Sequence, residues 1–421
     1  MFTRRLLPVG ILAAGLVAGA CSPHPTYPGA LRGMSGTTAT EVVNEAFFAR
    51  LSTTPTGRKG LPDTDFAAET YDAVVIVALA AEAAKSDGID LARQIVGITR
   101  EGTTCGTFAA CIEVIRGGGN PSYSGVAGPR PLNDAGEPDS GNFQVETFGS
   151  NNRLDPALRT FRKGSRPDSV PGDAQPITAT RAGDGILHIG ALQPLTGRAS
   201  IYLPPVAAAW ELAIEDINAA GGVLGHPVEA TVADANPRGA ASLLDDGVDA
   251  VIAASSSAAT LEVIDQFVDA GVTMFSPLNT APALSTYPDG GLYFRNLPSD
   301  LIQADTLAHL IAERGNTSVS ILAVDDAYGN GLAQQLELSL NALGVTVRTN
   351  DRYTPNTVEF FPFAKRVAVA NPDAVVLVSF GEASRALRAL ITSGVGPNHK
   401  QYFGTDGTTS NTIGELFDAG N

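Results

Sequence analysis

Two regimes of apolar and polar residues follow one another along this chain. From Gly185 onward, short apolar runs alternate with longer amphipathic stretches, the pattern of repeated strand–helix units. Ile186–Ala191, Val251–Ala254, Thr273–Ser276, Val319–Val324, Val345–Arg348, Ala374–Val378 and Gln401–Gly404 are predicted strands. Val206–Ala220, Ala258–Ala270, Leu301–Arg314, Leu332–Leu343 and Ala383–Thr392 are predicted helices, the first stopped by Gly221-Gly222. Such units imply parallel sheets flanked by helices.

The first regime is different. An alanine-rich apolar run from Tyr71 to Ala84 predicts a buried helix, and Asp90–Thr99 a second one. Gly117–Phe148 is rich in Gly, Pro and Asp, with Phe143, Val145 and Thr147 alternating, which predicts short antiparallel strands around tight turns. Asn151–Ala182 is polar, carries Pro156, Pro167, Pro171 and Pro176, and has no periodicity, so it is expected to be a linker.

The N-terminus has the pattern of an export signal. Arg4 and Arg5 precede an apolar core from Leu6 to Ala20, too short for the ~20 residues that span a bilayer. Ala18-Gly19-Ala20-Cys21 is similar to a bacterial lipobox, with Ala18 where leucine is usual, so Cys21 is the expected lipidation site. Arg4-Arg5 leaves a twin-arginine export route open beside the general one. Ser22–Ala30 is a Pro-rich stretch suited to a tether.

The net charge of −16 argues against a nucleic-acid partner, which needs clustered Lys and Arg. Five His and three Cys, with no HExxH, CxxC or Walker loop, give no metal site and call for no cofactor. Cys105 and Cys111 stand close together in GTTCGTFAAC. In an exported protein a local disulfide is expected, two buried thiols being the other reading.

Several stretches carry a family resemblance. IGALQPLTG, INAAGGVLGHPV, FSPLNT, LYFRNLPSD, DDAYGNGL and YFGTDG, between Asp184 and Asn421, resemble the leading part of type I periplasmic binding proteins of the branched-chain amino acid (Leu/Ile/Val) kind. GMSGTT, YDAVVIVALAAEAA, GTTCGTFAACIEVIRGG and SYSGVAGPRPLNDAGEP, between Gly33 and Phe148, resemble the trailing part of the same family. The order is swapped, as in a circular permutant. The resemblance implies two Rossmann-like α/β lobes with a ligand cleft between them. The expected organisation is a signal over 1–20, a tether over 21–32, a trailing-type portion over 33–150 that contributes to both lobes, a linker over 151–183, a lobe 1 core over 184–298 and a lobe 2 core over 299–421. In detail, lobe 1 would join Thr38–Arg116 to Asp184–Pro298, and lobe 2 would join Gly117–Ser150 to Ser299–Asn421.

Open α/β sheets bind ligands beyond the carboxyl ends of their strands. Ser255, Ser256 and Ser257 follow one predicted strand and open a helix, where hydroxyls and free N–H groups suit a carboxylate. Asn279 and Thr280 follow the next strand, and the resemblance implies that they help to hold a ligand carboxylate. It also implies an aromatic contact at Tyr328 and an acidic partner for a ligand ammonium at Asp406. Phe380, where tyrosine is common in the family, is expected to be an apolar wall. Leu192, Thr196 and Tyr202 are further candidates at the side-chain end, while Arg295 is expected to pair with an acid near the hinge. No His is placed to activate a serine and there is no nucleophile elbow, so an enzyme is not expected. The resemblance implies a lipid-anchored ligand-capturing subunit of an ABC importer on the outer face of a bacterial cell membrane, with a membrane permease as partner. A sensor of the same fold is the alternative.

Overall fold

The computed structural model describes residues 27–166, 174–253 and 255–420. The signal-like leader and Cys21 lie outside the described residues.

In chain order the first part gives β1 (Ser35–Thr38), α1 (Glu45–Leu51), α2 (Ala67–Ala84), α3 (Ala92–Ile98), β2 (Thr103–Cys105) and α4 (Phe108–Arg116). β3 (Pro121–Gly125), β4 (Gly128–Pro129), β5 (Ser140–Thr147) and β6 (Thr160–Ser165) follow. The repeating part then runs β7 (His188–Gln193), α5 (Leu203–Ala219), β8 (Glu229–Asp234), α6 (Pro237–Asp245), β9 (Ala250–Ala253), α7 (Ser257–Asp269), β10 (Thr273–Ser276) and β11 (Tyr293–Arg295). It closes with α8 (Asp300–Glu313), β12 (Ser318–Val324), α9 (Ala327–Ala342), β13 (Thr346–Tyr353), α10 (Phe361–Ala370), β14 (Ala374–Val378), α11 (Ala383–Thr392), β15 (Gln401–Gly404) and α12 (Asn411–Ala419).

Two mostly parallel sheets define two lobes. Lobe 1 has the order β11-β10-β9-β7-β8, and lobe 2 the order β13-β12-β14-β15-β1-β5-β6. Strands rich in apolar residues take the middle: β9, β10 and β14 are buried along their whole length, with Thr273 and Ser276 the polar ends of β10. Of the four edge strands, β8, β13 and β6 carry exposed polar residues that tolerate water on one side, while β11 is buried.

The swapped order is built into lobe 2. β1 lies parallel to β15, Ser35 opposite Phe403 and Gly36 opposite Gly404, and β5 pairs antiparallel on its other side. Gly36 has to be glycine, because a Cβ there would stand 1.9 Å from Thr409 Oγ1. A start-to-end pairing of this kind is what two portions of one fold require when they are joined in reverse.

α2 is apolar on nearly every side and buried almost throughout, as a helix enclosed by other elements must be. It packs against α5, α3 and α4 and reaches the lobe 1 strands β9 and β10.

β1, which ends at the expected lobe 1 boundary Thr38, pairs in the lobe 2 sheet. Two differences from the sequence-based expectation stand out. β3 and β4 pair with β2 beside α4 instead of joining the lobe 2 sheet. The expected linker contains β6, paired along its length with β5. An edge strand held by backbone hydrogen bonds needs no apolar periodicity, which is why β6 leaves no signature. Residues 174–183 then lie along lobe 1, where Arg181 donates to the carbonyls of Gly247 at 3.0 Å and Val248 at 2.9 Å.

Cys105 and Cys111 are joined by a disulfide, their Cα atoms 5.3 Å apart. The bond ties β2 to α4. Tryptic digestion of non-reduced protein is expected to release one peptide lacking two hydrogens. Replacing both cysteines by serine is expected to cost about 2 kcal/mol in urea unfolding, as suits so short a loop.

Three described crossings connect the lobes: β1 to α2, β4 to β5, and β11 to α8. Arg130 fastens all three, donating to the carbonyls of Ala39 at 3.0 Å and Asn296 at 3.0 Å and to Glu69 Oε1 at 2.9 Å. Nearby, Arg295 is 1% exposed and pairs with Glu137. It also donates to the carbonyls of Asn279 and Ala281 at 3.3 and 3.1 Å and to Ser285 Oγ at 2.7 Å.

Candidate functional site

The carboxyl ends of β7, β9, β10, β12, β14 and β15 converge between the lobes. Their loops, with Phe66, enclose a cavity lined by Ser255, Ser256, Ser257, Thr280, Tyr328 and Asp406 as its polar members. Ala199, Leu278, Phe380 and the ring of Tyr202 add apolar surface. The walls stand so close that the cavity measures about 20 Å³, room for a water but not for an organic molecule. An organic ligand therefore enters when the lobes part or wall side chains turn.

On the lobe 1 side, Ser256 is the N-cap of α7 and accepts from Ala259 N at 3.3 Å. Ser257 Oγ accepts from the backbone N–H groups of Thr280 and Ala281 at 3.3 and 3.2 Å, fixing the loop after β10 against the start of α7. Asn279 does not line the cavity. Its amide donates to Ser255 O at 2.7 Å and its oxygen accepts from Tyr293 OH at 3.1 Å, so it holds the two loops together from behind. Tyr202 reaches the cavity, but Leu192 is packed in the lobe 1 core and Thr196 turns to Asp234.

On the lobe 2 side, Tyr328 OH donates to Asp406 Oδ1 at 2.6 Å and lies 2.7 Å from Thr405 Oγ1. Gly407 N donates to the same Asp406 oxygen at 2.9 Å. Burial pushes the Asp406 carboxyl up to about 6, partly opposed by the bonds from Tyr328, Gly407 and Gln303. Phe380 packs against Tyr328 with ring centroids 5.1 Å apart.

Two contributors escape a reading by sequence. Phe66 precedes α2 in a left-handed backbone conformation, φ 64°, and packs edge-on against Tyr202 at 4.9 Å. A left-handed phenylalanine is strained, and the strain brings its ring to the cavity. Asp300, the first residue of α8, lies behind the lining, is fully buried, and its N–H donates to Thr280 O at 2.8 Å. Burial and then the neighbouring Asp406 push its carboxyl well above the usual range.

Among the described residues the lining has no His, Lys or Cys, and its serine hydroxyls make no bond to a carboxylate. Among the described residues, no group of three or more His, Cys, Asp and Glu is placed to hold a metal ion, and no helix is long and apolar enough to cross a membrane. Hydroxyls and a capped helix start on one wall, with a buried carboxyl on the other, define a two-lobed small-molecule-binding protein.

Residues 187–418 match the periplasmic binding protein family, and the chain belongs to that family, with the type I fold. A similar protein is the Leu/Ile/Val-binding protein homolog 3 of Brucella melitensis, 29% identical over 246 residues, covering 55% of this chain and 66% of the relative. This chain thus aligns with slightly less than two thirds of that relative's length. Among solved structures it is similar to the branched-chain amino acid transporter substrate-binding protein LivJ of Streptococcus pneumoniae in complex with isoleucine, at 22% identity and TM-score 0.49, covering 55% and 67% of the two chains. It is also similar to the leucine-binding protein LivK of Thermotoga maritima, at 20% identity and TM-score 0.47, covering 55% and 67%.

Proposed function

We propose that this chain is an extracytoplasmic solute-binding subunit of an ABC importer, capturing an amino acid or a related small carboxylate or amide by closure of its lobes. The observation that carries this reading is the pairing of unlike ends across one cavity. Ser256, Ser257 and Thr280 offer hydroxyls, and the start of α7 offers backbone N–H groups, to an anion, and Asp406 offers a carboxylate to an ammonium. Asn279 supports the anion end from behind, while Tyr328, Phe380 and Phe66 cover the apolar part of the ligand. Closure exchanges water for fixed dipoles, and the closed form would be the one that docks on a membrane permease. Cys21 would carry a lipid that holds the protein at the outer face of the membrane.

A thermal-shift screen over amino acids, their amides and aromatic acids tests the reading. A ligand at 100 times its dissociation constant is expected to stabilise the fold by about 2.7 kcal/mol. Aliphatic amino acids are expected to shift the midpoint by a few degrees. If no member of the panel moves it, the assignment of this cavity to such ligands is wrong.

A further inference from the structure

Arg198 lies in the turn after β7 on lobe 1, and its guanidinium crosses to lobe 2. Nη2 donates to Asp326 Oδ2 at 2.8 Å and Nη1 to Glu382 Oε1 at 3.1 Å. Its Cζ stands 5.2 Å from the centre of the Phe380 ring, one wall of the cavity. Arg198 does not line the cavity itself, although its neighbour Ala199 does. The fork therefore closes over the rim.

Both acceptors are held on lobe 2 by other bonds. Asp326 Oδ1 caps α9 by accepting from Gly329 N at 2.9 Å, which leaves Oδ2 for Arg198. Glu382 Oε1 also accepts from Tyr353 OH at 3.1 Å. The two acidic side chains are each 7% exposed and Arg198 is 24% exposed, so the contact is screened less than a surface pair. With Asp300 and Asp406, four carboxylates of lobe 2 gather at this end of the cleft, and Arg198 is the lobe 1 cation bonded to two of them.

We infer that Arg198 is the latch of the cleft, a positioning residue that holds the closed form together and slows ligand escape without touching the ligand. The inference rests on the reading of the chain as a binding protein whose lobes open and close. It differs from the role of Arg130, whose bonds join the crossings themselves and persist when the lobes part.

Small-angle scattering of the ligand-free protein tests the latch apart from any ligand. Arg198→Gln, and separately Asp326→Asn, which keeps a helix cap, are expected to raise the radius of gyration over wild type while the melting temperature stays within a degree or two. In stopped-flow displacement of L-isoleucine, Arg198→Gln is expected to dissociate roughly tenfold faster with a similar association rate. Unchanged scattering in both variants overturns the latch, whatever isoleucine does. Failure of isoleucine and of every other member of the thermal-shift panel to bind wild type, with scattering shifted as expected, overturns the ligand assignment and leaves the latch standing.

Discussion

Asp406→Ala is expected to weaken binding of the best amino-acid ligand by about 30-fold or more, with the fold intact. Removing one partner of a desolvated charge pair typically costs ~2–5 kcal/mol. Tyr328, the aromatic partner of Asp406, keeps its contact with Thr405, and the Asp406 carboxyl is held by polar bonds from Tyr328 OH and Gly407 N. Calorimetry with the best ligand of the screen measures the loss. Unchanged affinity in both Asp406→Ala and Thr280→Ala would move the site elsewhere or remove the amine from the ligand. The same carboxyl sets a pH dependence. Buried to a value of about 6, Asp406 is charged at pH 7.5 and increasingly neutral below 6, so affinity for an ammonium ligand should fall in that range. The sign is opposite for the ligand-free fold. A raised carboxyl contributes stability that is fully present below its unfolded value of 3.8 and lost as pH rises through about 6. Ligand-induced stabilisation should thus be larger at pH 7.5 than at 5.

Arg295→Ala is expected to be the most destabilising single change near the cleft, at about 3–5 kcal/mol in urea unfolding. The guanidinium is 1% exposed and donates to four residues: Glu137, the carbonyls of Asn279 and Ala281, and Ser285. Its removal leaves a carboxylate and two carbonyls short of a donor in a dry place. Although burial works against it, Arg295 and then Arg166 hold the Glu137 carboxyl below its usual range. That contribution to stability is present above the unfolded value of 4.5 and lost as pH falls through the lower folded value. Arg295→Ala should therefore flatten the acid limb of the stability profile. A loss below about 1 kcal/mol would mean that water or Arg166 takes over the role.

How far the residues announce this structure depends on how local the signal is. β14, AVVLV, is apolar at each position and bounded by turns, so its limits can be read directly. β8, EATVAD, lies at a sheet edge with exposed Glu229, and its polar content hides it. α12 is a single short amphipathic segment behind a Thr-Thr-Ser stretch, too short for its periodicity to mark it as a helix. At the site, Ser256, Ser257, Thr280, Tyr328, Phe380 and Asp406 each follow a strand, and strand ends meet by the geometry of the fold. Asn279 obeys the same rule but turns away, because its amide is spent on Ser255. Phe66 follows no strand, and its position depends on a backbone conformation that sequence pattern does not reveal. Asp300 reads as an ordinary acid complementing the start of a helix, which conceals that it is fully buried.

The pairing of β1 with β15 has a consequence for how the chain must be made. β1, β5 and β6 leave the ribosome early, but β15, the other partner strand of β1, follows more than two hundred residues after them. At ordinary synthesis rates that interval is roughly 10–50 s. Throughout it the three-stranded piece presents the open side of β1 to its surroundings, a template for wrong partners. Lobe 1 can complete its sheet first, since β7 to β11 are contiguous in the chain. Lobe 2 closes last, by inserting β15 between β14 and β1. This order of assembly predicts that truncation just before residue 401 leaves lobe 1 protected from protease and lobe 2 open to it.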